Sequence, residues 1–304
     1  MSKRVLLSAV SVFALAPSLA SACACGCGVF DVGTSTMMPT EAGGTAWFEY
    51  DFMNQTTNWS GSSDAPRANN GDKVLRSDFF QAGTQYMFNR SWGVMGEMPL
   101  TDRFFKTTDD SGNLVKSQHA AIGDLHLQGV YSGFSDDMST GITFGLKLPT
   151  GDFRYSGFDR DTSIGSGSTD LLLGAYHMGE VSKDYALNWF ANVQWDHAFM
   201  SQGDYRPGDE TDSAIGVYHD AGMIGSGHIS PLLQLIGSYR VHDTGLNADP
   251  PNSGYKRLLI SPGVEYDVNA VKIYGDVELP VYQYTNGNQL VAPVLLKFIV
   301  GYNF

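Results

Sequence analysis

Apolar and polar residues alternate along much of this chain with a period of two. Leu187, Trp189, Ala191, Val193 and Trp195 fall on one face, with Asn188, Asn192, Gln194 and Asp196 on the other. Val271, Ile273, Val277, Leu279 and Val281 oppose Lys272, Tyr274, Asp276 and Glu278 in the same way. Ile229, Leu233, Leu235, Tyr239 and Val241 oppose Ser230, Gln234, Ser238 and Arg240. Successive side chains of a strand point to opposite faces, so each run predicts a strand with one apolar face. Twelve strands are predicted in all. The first six are Thr45–Asn54, Arg76–Phe88, Trp92–Leu100, Ala120–Ser132, Ser139–Pro149 and Thr169–Met178. The others are Ala186–Phe199, Ser213–Ile224, Ile229–Val241, Lys256–Asp267, Val271–Tyr282 and Leu290–Phe304.

The last strand gives the pattern its meaning. Leu290, Ala292, Val294, Leu296, Phe298, Val300, Tyr302 and Phe304 are apolar at every second position, and Pro293, Lys297, Gly301 and Asn303 alternate with them. A chain ending on an aromatic, with apolar residues two, four and six places earlier, resembles the C-terminal insertion signal of bacterial outer-membrane barrels. The barrel-assembly machinery is therefore an expected partner through the strand ending at Phe304. The connections agree. Long polar segments follow alternate strands, at Gln55–Leu75, Thr101–His119, Thr150–Ser168, Met200–Asp212 and His242–Tyr255, and the links between them are short. Outer-membrane barrels have long outside loops and tight periplasmic turns. The expectation is a single all-β, antiparallel transmembrane β-barrel of about twelve strands with both ends in the periplasm.

The N-terminus points the same way. Lys3 and Arg4 precede an apolar run from Val5 to Ala16, and Ala20-Ser21-Ala22 suits signal cleavage. The expected organisation is a signal peptide at 1–22, a cysteine-rich periplasmic segment at 23–44 and a barrel at 45–304. No stretch approaches the ~20 consecutive apolar residues of a spanning helix. At 17% the charged residues are sparse, beside about 25% in ordinary globular domains. A formal charge of −13 argues against a nucleic-acid partner, which needs basic patches. The expected partners are outer-membrane lipid, lipopolysaccharide and a small solute. Acidic loop residues such as Asp109, Asp159 and Glu210 could hold divalent cations that bridge lipopolysaccharide, or could simply be solvated.

A barrel of this size lies between eight-stranded barrels filled by side chains and open sixteen-stranded porins. Its interior-facing candidates are Glu49, Asp51, Glu97, Asp124, His126, Lys147, Asp196, Arg240, Lys272, Asp276, Glu278 and Lys297. Gln128, Arg257 and Glu265 belong with them. Buried charges need partners, so most are expected to pair across the lumen, with a subset lining a path.

Three segments stand out: Ile122–Gly133 (IGDLHLQGVYSG), Thr143–Asp152 (TFGLKLPTGD) and Gly165–His177 (GSGSTDLLLGAYH). Proline lacks an amide donor and Thr-Gly-Asp favours a turn, so Pro149–Asp152 ends a strand. Phe153, Arg154, Tyr155, Phe158, Asp159, Arg160 and Asp161 follow, either folded inward as a constriction or anchored on the surface. The order GDL, GLKLPTGD, GSGSTDLLLGAY resembles the outer-membrane family of phenol meta-pathway (MetA) degradation transporters. The resemblance is dense over about sixty residues. It implies a barrel and transport of small solutes, aromatic or hydrophobic ones among them. The cysteine-rich start and the loop sequences depart from it.

Cys23, Cys25 and Cys27 would share one face if extended, and thiolates suit a soft metal such as copper(I). The alternatives are a disulfide with one thiol left over, or lipidation of Cys23. The seven histidines have no ligand spacing, and Gly-x-Ser-x-Gly is absent. No enzyme activity and no cofactor are expected. The function expected is passive, selective diffusion of small solutes. The alternative is a closed barrel whose cysteine segment captures copper or another soft metal.

Overall fold

A computed structural model describes residues 38–109 and 111–304. The expected signal peptide and the three cysteines lie outside the described residues. Twelve antiparallel strands close into a barrel, with four further strands outside it. The barrel strands are β1 (Gly43–Gln55), β2 (Val74–Met87), β3 (Trp92–Thr108), β4 (Leu125–Tyr131), β5 (Thr140–Leu148) and β6 (Ser168–Ser182). They continue as β7 (Leu187–Ser201), β8 (Glu210–His219), β9 (Gly227–Arg240), β10 (Tyr255–Val268), β11 (Val271–Val291) and β12 (Leu295–Asn303). β1 pairs with β2 on one side and with β12 on the other, Thr45 opposite Asn303 and Met53 opposite Leu295. Closure satisfies every backbone donor that would otherwise face hydrocarbon at a sheet edge.

The alternation sorts the side chains. On β12, Leu296, Phe298, Val300 and Tyr302 are exposed and face outward, while Lys297 and Ile299 are buried inside. Leu127, Phe144, Leu146, Leu173, Val193, Leu233, Leu235, Val277 and Leu279 continue the outer apolar band. Aromatics rim it at the short-turn end, where Trp92 lies on Tyr131 at 4.6 Å, Phe134 meets Tyr131 and Tyr86 stacks on Phe304. At the other end Lys256 reaches over Tyr239 and Tyr284. An apolar band between aromatic girdles is the exterior that a bilayer selects.

All twelve predicted strands are present, with four changes. Leu290–Phe304 is two elements: Leu290 and Val291 end β11, residues 292–294 turn, and β12 begins at Leu295. Leu290 and Ala292 are consequently buried and do not continue the lipid face. Thr101–His119 is no loop. β3 runs on to Thr108 and pairs with the outer strand Leu114–Ile122. The predicted strand Ala120–Ser132 is interrupted at Gly123-Asp124, and only Leu125–Tyr131 pairs lower on β3. The predicted Ser213–Ile224 is displaced: β8 spans Glu210–His219, and Met223–Ile224 pairs back onto β9 within the turn. Polar loop residues that extend a ladder beyond the membrane carry no apolar alternation, which is why the pattern ended early.

Candidate permeation path

The β5–β6 connection, residues 149–167, turns into the barrel. Its two stems touch. A Cβ on Gly165 would lie 2.4 Å from the Gly151 carbonyl carbon, and one on Gly151 would lie 2.7 Å from Gly165 Cα. Only two glycines permit this crossing. Asp124, 6% exposed in the break before β4, clasps both stems. Its Oδ1 accepts from Gly151 N at 2.9 Å, and its Oδ2 accepts from Ser166 N at 2.8 Å and Ser166 Oγ at 2.5 Å. The three conspicuous segments of the sequence, separated by up to 42 residues, meet at this one carboxylate.

Beyond the stems the loop is pinned to the barrel wall. Arg103, an inward residue of β3, donates to Ser77 Oγ at 3.0 Å, Thr162 O at 2.8 Å and Ser163 O at 3.0 Å. Arg160 donates to Ser166 O and lies over the rings of Phe153 and Tyr205, at 4.7 and 4.4 Å. Phe158 stacks on Phe105 at 5.6 Å, against Leu75 and Leu290. Tyr155 stacks on His119 at 3.9 Å and accepts from Ile164 N. Asp159 approaches Asp72, which is 1% exposed. Burial, with Asp159 and Asp161 nearby, pushes the Asp72 carboxyl up to about 8, and burial also raises Asp159. Arg154 is exposed and lies over Phe153, on the outer side of the loop.

Beneath residues 160–166 is a cavity of about 180 Å³ inside the barrel. Phe79, Pro99 and Tyr205 give it apolar wall, and Arg103, Lys147 and Arg240 give it cationic wall. Lys147 and Arg240 each have carboxylate partners. Lys147 Nζ is 2.5 Å from both Asp170 and Asp196. Arg240 is 2.7 Å from Asp243 and 4.0 Å from Glu210. Lys147, Asp196, Arg240, Asp51, Asp124 and His126 thus share one chamber. Asp170 and Glu210 line it as well; Asp170 fell within the predicted strand Thr169–Met178 but was not singled out, and Glu210 stood in the predicted connection Met200–Asp212.

The remaining candidates are elsewhere. Lys297 meets Glu49 at 3.2 Å and stands in register between Asp51 and Asp276. Asp276 accepts from Ser261, Gln234 and Tyr274 at 2.5–2.9 Å. Glu278 lies buried beside this group, and Lys272 is 3.9 Å from Glu265 towards the short-turn end. Glu97 pairs with His126 at 3.6 Å. Glu49, Asp51, Glu278 and Lys297 are at most 3% exposed. In a water-filled pore these lumen side chains would be accessible. Here packed neighbours cover them.

No protein-family model and no curated protein matches the chain. Among solved structures it is similar to an outer membrane channel from Pseudomonas putida F1, with 12% identity and a TM-score of 0.66 over 90% of this chain and 100% of that one. It is also similar to the β domain of the Bordetella autotransporter BrkA, with 13% identity and a TM-score of 0.52 over 87% of this chain and 100% of that one. Likeness at these identities is one of fold. The closed barrel and its apolar exterior make this chain an outer-membrane β-barrel.

Proposed function

We propose that this barrel is an outer-membrane channel in which a small solute diffuses down its gradient, and that residues 149–167 form its constriction. The observation that carries this reading is the chamber beneath the inward loop, whose wall combines apolar surface, cations and the carboxylates that pair with Lys147 and Arg240. Phe79, Pro99 and Tyr205 offer a ring-shaped solute apolar contact, while Arg103, Lys147 and Arg240 offer donors to a hydroxyl or carboxylate. A cavity of about 150 Å³ accepts benzene, so a space near 180 Å³ suits one aromatic ring bearing a polar group. The resemblance to phenol-pathway transporters leads to the same solute class. The lumen charges Glu49, Glu97, Lys272, Asp276 and Glu278 are assigned to bracing the barrel, and those of the chamber to the path. Proteoliposomes loaded with a phenol-sensing dye test the proposal: phenol influx above that of protein-free liposomes is expected, and influx equal to that of protein-free liposomes contradicts it.

The burial of Glu49, Asp51, Glu278 and Lys297 in the lumen favours a second reading, a closed barrel whose Cys23, Cys25 and Cys27 capture a soft metal at the periplasmic face. Under that reading phenol influx matches protein-free liposomes, and serine at the three positions abolishes copper retention.

A further inference from the structure

Five of the chain's eleven methionines converge at the short-turn end of the lumen. Met87 ends β2 and Met138 lies in the turn between β4 and β5; both are buried, at 2% and 1% exposure. Met95 of β3, Met178 of β6 and Met38 from the segment before β1 pack against them, with Val130 and Tyr176 completing the walls. Methionines from five separate elements thus share one apolar cluster, which adjoins the other apolar clusters of the lumen through Met38, Met95 and Met178.

Two details are costly for a patch that only fills space. Met138 has φ +61°, the left-handed region, which costs a non-glycine residue about 1–2 kcal/mol. Glycine or asparagine would make that turn more easily, yet a methionine is held there with its side chain buried. Gly93 leaves the position of the Met87 sulfur open, since a Cβ there would come within 2.2 Å of Met87 Sδ. Methionine is also a poor choice for specifying a rigid core, because its three rotatable bonds must be frozen. Its sulfur, however, is a soft donor that selects copper(I) over hard divalent ions. Among the described residues no group of three His, Cys, Asp or Glu could hold a metal ion.

We infer that Met38, Met87, Met95, Met138 and Met178 form a thioether site for a soft monovalent cation, copper(I) or its analogue silver(I), at the periplasmic end of the lumen. The site uses donors independent of Cys23, Cys25 and Cys27 and stands whichever solute the channel passes. Binding alters no oxidation state.

The test uses the mature chain in detergent micelles, with the three cysteines replaced by serine and the methionine methyls labelled with carbon-13. Silver nitrate is the probe, because silver(I) is soft and does not change oxidation state. A saturable shift of the Met38, Met87, Met95, Met138 and Met178 methyls is expected, with Met53, Met98, Met200 and Met223 unmoved. M87L together with M138L should remove the saturable shift while retaining heat-modifiable mobility; where that pair fails to fold, M95L with M178L serves. No shift, an equal shift at the lipid-facing Met98, or saturation persisting in a folded leucine variant would overturn the assignment.

Discussion

At the scale of single residues, Asp124 clasps the stems of the inward loop that we propose as the constriction. It joins both stems of the loop through three hydrogen bonds, and its carboxylate has 6% exposure. A charged hydrogen bond is worth about 1.5–3 kcal/mol, so Asp124→Ala is expected to release the stems while the ladder stays intact. Faster amide exchange over 150–167, with unchanged exchange in β4 and β5, is the expected outcome; uniform acceleration would place Asp124 in barrel stability instead. Asp72 gives the loop a pH dependence. Its ordinary carboxyl value is 3.8 and burial raises it to about 8. The folded form therefore keeps a proton that the released form loses, and docking is strongest below about 4. It weakens as pH rises and levels off above about 8. Tryptic cleavage at Arg154 should be faster at pH 9 than at pH 5, and Asp72→Asn should flatten the difference. Alternation had placed Asp124 inside the barrel. Its partners were illegible, because Gly151 and Ser166 lie 27 and 42 residues away and no period connects them.

At the scale of elements, the strands were legible because lipid and lumen impose opposite demands on successive residues. The hairpin of β3 with Leu114–Ile122 was not, because the outer strand is exposed or half-exposed along its whole length and Lys116 and Gln118 carry no contrast. The turn at residues 292–294 was hidden for a different reason: Leu290 and Ala292 are apolar to cover the barrel mouth and happen to share parity with the lipid face. β12 shows how strongly the inner face is constrained. Lys297 is 3% exposed between Asp51 and Asp276 and pairs with Glu49. Removing one partner of a buried ion pair costs about 3–5 kcal/mol. Lys297→Met should therefore lower the urea midpoint of the refolded barrel by that equivalent, and an unchanged midpoint would mean that these carboxylates need no cation. On the opposite face of the same strand, Phe298→Lys should cost about 2–4 kcal/mol through its placement in hydrocarbon. The same lysine in detergent, where the side chain reaches water, should cost less.

For the whole molecule, twelve strands leave a lumen that inward side chains nearly fill. What remains is a chamber lined on one side by the inward loop, with packed charge and a methionine cluster elsewhere in the lumen. Under the channel function proposed above, passage depends on the loop leaving its clasp, so permeation and loop docking should vary together. The decisive measurement is planar-bilayer conductance of the refolded protein beside a variant in which residues 155–164 are replaced by a short Gly-Ser linker. Small, infrequent steps for the intact chain and steady, larger steps for the shortened one are predicted, with phenol reducing the current in both. A shortened variant that folds, keeps its heat-modifiable mobility and passes no current would contradict the account.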